Sequence, residues 1–218
     1  MAGAGWSPIR SAPDASATPA DMAPVWRARA IRIALLTAIV VAVLAIAAPF
    51  LMPRQEDGRP LVGGPFTLID QAGRRVTDQD LRGRWALIYF GYTFCPDACP
   101  LGLQNMTQAL DLLGDKAQQI RPVLITVDPA RDTVAALAEY AKSFHPDLLA
   151  LTGSEAEIAT AAKAYRVFYK KVESAQHTDY LMDHSSIIYL MDPQGRYATH
   201  FTHQTSPQDM ARELAKIP

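Results

Sequence analysis

Residues 85–92 read WALIYFGY, and the chain runs on from there as TFCPDACP to residue 100. The first stretch is a near-continuous apolar run, the signature of a strand buried on both faces rather than one with a wet side. The second carries both cysteines of the chain, Cys95 and Cys99, at the junction between that strand and a helix. The carboxyl ends of strands in open α/β sheets are where such folds place their chemistry.

Outward from this junction, residues 65–218 alternate strand and helix signals. PFTLIDQAGRRVT predicts a strand, a turn at Gly73 and a second short strand. From Pro100 to Leu113, Leu103, Met106, Leu110 and Leu113 recur at helical spacing, with Gly114 placed to end the helix. RPVLITV predicts a buried strand, TVAALAEYAKSF a helix and LLALTG a short strand. SEAEIATAAKAYRV is a helix opened by a capping box, Ser154 with Glu157. FYKKVE and SSIIYLMD read as strands, the turn Asp192-Pro193-Gln194-Gly195 leads into RYATHFT, and the last helix starts near Ser206-Pro207. The order β-α-β-α-β-α-β-β-α predicts an α/β fold with helices on both faces of a central sheet.

Ahead of this domain, Ile33 to Met52 is 20 residues without a charge. A helix of about that length spans the ~30 Å apolar core of a bilayer. Arg27, Arg29 and Arg32 crowd its N-terminal edge, so the positive-inside bias holds residues 1–32 in the cytoplasm and sends the rest across. Residues 1–32, rich in Ala, Pro and Ser, read as a disordered tail, 33–52 as an uncleaved transmembrane anchor, and 53–64 as a linker. Ala45-Ile46-Ala47 resembles a signal-peptide cleavage site, but the segment before the apolar run is too long for one. A formal net charge of −1 leaves no basic excess for phosphate neutralisation, which excludes nucleic acid as a partner.

Cys95 and Cys99 lie four residues apart, one helical turn. Pro100 disfavours helical dihedrals at the residue before it, so Cys99 is expected near the N-cap with Pro100 at the first helical position. Both thiols then feel the positive end of the helix dipole, which favours thiolate. Three uses compete: a structural disulfide, a redox dithiol and a soft-metal site. A disulfide closing so short a loop stabilises little. A peroxidase-type PxxxTxxC pattern fails by position, and thioredoxin-like oxidoreductases use CxxC with a cis-proline before a later strand. Before SIIYL this chain has Asp183-His184-Ser185 instead. Two thiolates and an imidazole make a three-coordinate set suited to copper, since thiolate selects Cu(I) and imidazole also accepts Cu(II). Zinc ordinarily takes a fourth ligand in a structural site.

GYTFCPDACP at 91–100, TVDPARDT at 126–133 and DYLMDHSSIIYLMDPQG at 179–195, behind an N-terminal anchor, resemble the Sco/SenC family of membrane-anchored copper chaperones. The resemblance implies a thioredoxin-like domain that binds one copper through Cys95, Cys99 and His184. It further implies delivery to the CuA centre of cytochrome c oxidase subunit II, a metallochaperone role rather than an enzymatic one. The alternative is a thiol-disulfide oxidoreductase that uses Cys95 and Cys99 as its redox-active pair. Either role needs a periplasmic thiol reductase as partner, because an oxidising compartment would otherwise close the pair. The expected location is a bacterial inner membrane with the domain in the periplasm, or a mitochondrial inner membrane facing the intermembrane space.

Around the site, Asp97 is expected to serve either the helix cap or the metal, and Asp183 either to orient the His184 ring or simply to end a loop. Met182 is read as core packing, and 128–132 as an ordered loop with Asp132 capping the next helix. Their match to the family motif points to a partner surface. His200 and His203, three apart on a strand, face opposite ways, His177 stands alone, and His145 reads as loop.

Overall fold

The structure is a computed structural model that describes residues 31–32, 34–39, 41, 43, 62–173 and 180–218. The chain divides into two compact units, Met1–Gly58 and Arg59–Pro218. In the first, the described residues are helical and expose Leu35, Leu36, Ile39, Val41 and Val43. Among the described residues no helix is long and apolar enough to cross a membrane. Ile31 and Arg32, expected in the disordered tail, are helical, while 1–30, most of the linker, much of the expected anchor and His177 lie outside the described residues.

The second unit carries the alternating pattern. Its strands are β1 (Thr67–Asp70), β2 (Arg75–Thr77), β3 (Trp85–Gly91), β4 (Ile120–Thr126), β5 (Leu149–Thr152), β6 (Tyr169–Val172), β7 (Leu181–His184), β8 (Ile187–Met191) and β9 (Tyr197–Thr202). Its helices are α1 (Ala98–Leu113), α2 (Val134–Ala141), α3 (Glu155–Ala164) and α4 (Pro207–Leu214). Seven strands form one mixed sheet in the order β2-β1-β5-β4-β3-β8-β9. β3, β4 and β5 run parallel, while β8 returns antiparallel beside β3.

The central position of β3 follows from its composition: Leu87, Ile88, Tyr89 and Phe90 are all fully buried. Each such side chain contributes about 1.5–3 kcal/mol on burial, more than a half-wet strand could gather. The two faces of β3 take different helices, as expected for a layered α/β fold. Tyr89 and Gly91 face α1, where the Tyr89 ring lies against Gly102. Phe90 faces Tyr165 at the end of α3, ring centroids 5.4 Å apart.

Local signals set the helix ends. Ser154 and Glu157 form the expected reciprocal capping box, and Ser206 caps α4 with Pro207 in its first turn. Gly114 ends α1 at φ +58°, a conformation in which glycine meets no Cβ clash. Two expectations are corrected. Asp132 does not cap α2; Thr133 does, its side chain accepting from the Ala136 amide. And α1 starts two residues earlier than Pro100, with Asp97 at the N-cap, so Cys99 is already helical. Proline is tolerated there because the first-turn amides have no helical acceptor to lose.

A further strand, β7, was not expected. It pairs with β6 as a separate two-stranded sheet, Tyr169 opposite His184 and Val172 opposite Leu181. His184 therefore ends β7 instead of opening the strand beside β3. That strand, β8, begins three residues later.

A candidate copper centre at one edge of the sheet

Parallel pairing brings the carboxyl ends of β3 and β4 level, Gly91 beside Thr126. Antiparallel pairing brings the start of β8 to the same edge, Ile188 beside Tyr89. Three loops therefore converge: the cysteine loop after β3, the 127–132 loop after β4, and residues 184–186 before β8. Cys95, Cys99 and His184 meet there, their ligand atoms all within 4.8 Å of one another. Cys99 Sγ lies 3.2 Å from His184 Nε2. Both cysteines are free thiols.

The two thiols are not equivalent, which corrects the expectation that the helix dipole lowers both. Cys95 is half-buried and is held well below the ordinary thiol range, at about 4. The Cys99 thiol donates to it first of all; the His184 ring and the backbone amides of Asp97 and Cys99 add to this against the cost of burial. Burial pushes Cys99 the other way, reinforced by the neighbouring Cys95 sulfur. One thiolate thus forms readily, and the second proton stays.

His184 is fixed by rings rather than by a carboxylate. Its imidazole meets Tyr92 edge-on at 5.7 Å between centroids, and Tyr89 at 6.2 Å. Its Nδ1 faces the Ser185 carbonyl at 3.3 Å. Asp183 is exposed, next to His184 on the strand and opposite Lys170, so alternation sends its side chain to the other face. Asp97 is also exposed, and its side chain makes no cap hydrogen bond.

Tyr92, Thr93, Thr126 and Tyr180 help to build the site although nothing in the sequence marks them. The Tyr92 hydroxyl accepts from the Met182 amide at 3.2 Å and also touches the Cys95 side chain. Met182 itself is partly buried against the core, as expected. Asp132 is fully buried and accepts from the Thr93 amide, the Thr93 hydroxyl and the Thr126 hydroxyl. It pins the start of the cysteine loop to the end of β4. Arg131 pairs with Asp128, and the Tyr180 hydroxyl donates to the same carboxylate at 2.8 Å. These 128–132 side chains are therefore engaged inside the domain. His200 Nδ1 lies 2.6 Å from the Tyr197 hydroxyl, and His203 sits past the end of β9 over Gly102. The His145 ring accepts from the Asp147 amide within its loop.

An α/β domain of this topology, with a helix-start dithiol faced by a histidine from a separate hairpin, defines the class: thioredoxin-like proteins whose cysteine pair is completed as a soft-metal ligand set. A sequence model of the SCO1/SenC family matches residues 54–218. The chain belongs to that family. It is 42% identical over 172 residues to Protein sco1 of Schizosaccharomyces pombe, covering 75% of this chain and 65% of that protein. It is 40% identical over 164 residues to the mitochondrial SCO1 homolog of Homo sapiens, covering 74% of this chain and 54% of that one. It thus spans less than two thirds of the length of either. The copper-bound structure of Bradyrhizobium japonicum ScoI superposes with a TM-score of 0.66 at 44% identity, covering 71% of this chain and 98% of that one.

Proposed function

We propose that this chain is a copper chaperone that takes up one copper ion, Cu(I) or Cu(II), through Cys95, Cys99 and His184. The observation that carries the reading is the convergence of two sulfurs and one imidazole nitrogen within 4.8 Å. That donor set is too soft for hard cations and one ligand short of structural zinc. The copper-bound Bradyrhizobium relative supports copper as the cargo. Delivery is to the CuA centre of cytochrome c oxidase subunit II, by exchange of these ligands for thiolates and imidazoles of the acceptor. A periplasmic thiol reductase keeps the pair open, since a disulfide offers no thiolate. Residues 33–52 anchor the protein in a bacterial inner membrane, with 1–32 cytoplasmic, 53–64 a linker and 65–218 periplasmic. The mitochondrial inner membrane gives the same topology. Asp97, exposed at the N-cap of α1 between the two cysteines, is the acidic neighbour that adds charge beside the ligand set, whereas Asp183 leaves the opposite face of β7 and has no such part.

One observation favours a second reading. A Cys95 sulfur ionised at neutral pH is also a competent nucleophile for thiol-disulfide exchange, with Cys99 resolving. Anaerobic copper binding by the reduced full chain, compared with His184→Ala, separates the two. Stoichiometric copper in the wild type and its loss in the variant are expected. A wild-type protein that exchanges disulfides readily but holds no copper would move the protein to the oxidoreductase class.

A further inference from the structure

The candidate site is assembled from chain segments that share no backbone pairing. Cys95 lies in the loop between β3 of the main sheet and α1, and Cys99 in α1, whereas His184 belongs to the β6–β7 hairpin, which forms its own sheet. One side chain from a third segment touches both. The Arg131 guanidinium lies 3.7 Å from the Tyr180 ring centroid and 4.6 Å from that of Phe94. Phe94 is the residue before Cys95; Tyr180 leads directly into β7, four residues before His184. Arg131 Nη1 also donates to the Tyr180 carbonyl at 3.0 Å, while Nε donates to Asp128, which in turn accepts from the Tyr180 hydroxyl. Its Nη2 has no hydrogen-bond acceptor among the described residues, so on that side ring faces hold the cation.

We infer that Arg131 is a positioning residue for the metal site, a strut that sets the His184 hairpin against the cysteine loop. It touches none of the three donor atoms and acts through the two aromatic residues flanking them. The role depends on the shape of the guanidinium and not on charge alone. A planar fork donates to Asp128 and to the Tyr180 carbonyl while stacking between rings, and an ammonium cannot do these together. Residues that orient metal ligands without touching the metal typically affect affinity 10–100-fold. The inference deepens the copper reading and rests on it for that consequence.

The test is a double-mutant cycle on the full chain. Arg131→Lys keeps the charge opposite buried Asp128, and Tyr180→Leu removes the other side of the strut, so one variant serves if the other fails to fold. Each is expected to weaken Cu(I) binding about tenfold, and the Arg131→Lys Tyr180→Leu double variant to lose no more than either single variant, because the two side chains act as one strut. Losses that add in full in the double variant overturn the inference, because they mark two independent structural effects. A second readout needs no metal. Hydrogen exchange in the apo protein is expected to quicken in Leu181–His184 and to stay unchanged in α1. A uniform change across the domain, or none in the hairpin, also overturns it. If the wild type binds no copper, the chaperone reading fails, and the exchange data still decide whether Arg131 holds the hairpin.

Discussion

Cys99 Sγ and His184 Nε2 lie 3.2 Å apart although 85 residues separate them in the chain. Nothing local brings them together. β3 and β8 do, by pairing antiparallel so that the end of one meets the start of the other. The sheet thus delivers a completed donor set, and the chemistry of the pair depends on where each sulfur sits in it. Cys99 is fully buried beneath the loop; Cys95 is half-buried and receives the hydrogen bonds.

That asymmetry is measurable by alkylation. With iodoacetamide at neutral pH, Cys95 is expected to be modified first and Cys99 to be protected, as read by peptide mass mapping. Because the Cys95 thiol is held at about 4, its rate should be nearly flat from pH 6 to 8, where an ordinary thiol speeds up about tenfold per unit. A rate that climbs through that range would show that Cys95 is not the ionised partner.

The same asymmetry sets the proton count of metal uptake. Metal ligands bind deprotonated, so binding releases whatever protons they still carry. Cys95 has already lost its proton at neutral pH, whereas Cys99 retains one. The thiols should therefore release about one proton per copper and not two. Titration in weakly buffered solution at pH 8, where an ordinary imidazole is neutral, checks this.

What could be read from the sequence was what neighbouring residues decide. The apolar run 85–92, the glycine at 114 and the Ser154–Glu157 box each report their own element, and all three were legible. The candidate trio Cys95, Cys99 and His184, which the fold brings together, was legible as well, because thiols and an imidazole stand out beside apolar runs. β7 was not. LMDH is partly buried without alternation, so neither helix nor strand periodicity marks it. The split between the two thiols was equally hidden, since the burial that raises Cys99 and the His184 contact that helps to lower Cys95 arise only in the folded domain. Arg131 was visible within a motif, but its stacking on Phe94 and Tyr180 exists only after three segments fold together.

Gly91 shows the same contact from below. A Cβ there would lie 3.0 Å from Cys99 Sγ and 3.2 Å from Tyr89 Cε1, closer than packed side chains sit. Glycine ends the central strand so that the buried sulfur can rest on backbone. Gly91→Ala is expected to fold, to lose about 1–3 kcal/mol by overpacking, and to displace Cys99 by a few tenths of an ångström. The copper-bound absorption spectrum should change while His184 remains a ligand. An unchanged spectrum would mean that Cys99 can give way freely.

Asp132 is the carboxylate that holds the cysteine loop to β4. Asp132→Ala leaves the Thr93 amide and two hydroxyls without their acceptor, and buried unsatisfied donors cost about 1–3 kcal/mol each. The hydroxyls can rotate to other partners, so a loss of about 2–4 kcal/mol is expected in urea denaturation. The pH dependence carries the sign. Burial outweighs the hydrogen bonds from Thr126 and Thr93, so the carboxyl titrates above its usual 3.8. A group raised in the folded state binds its proton more tightly there than in the unfolded chain. The stability it contributes is therefore complete below 3.8 and declines as pH rises through the raised value. Asp132→Asn cannot titrate, so the wild-type-minus-variant difference in unfolding free energy should fall across that window and level off above it. A difference that rises with pH instead would mean that the three donors outweigh burial, and that Asp132 holds the loop as a stabilised anion.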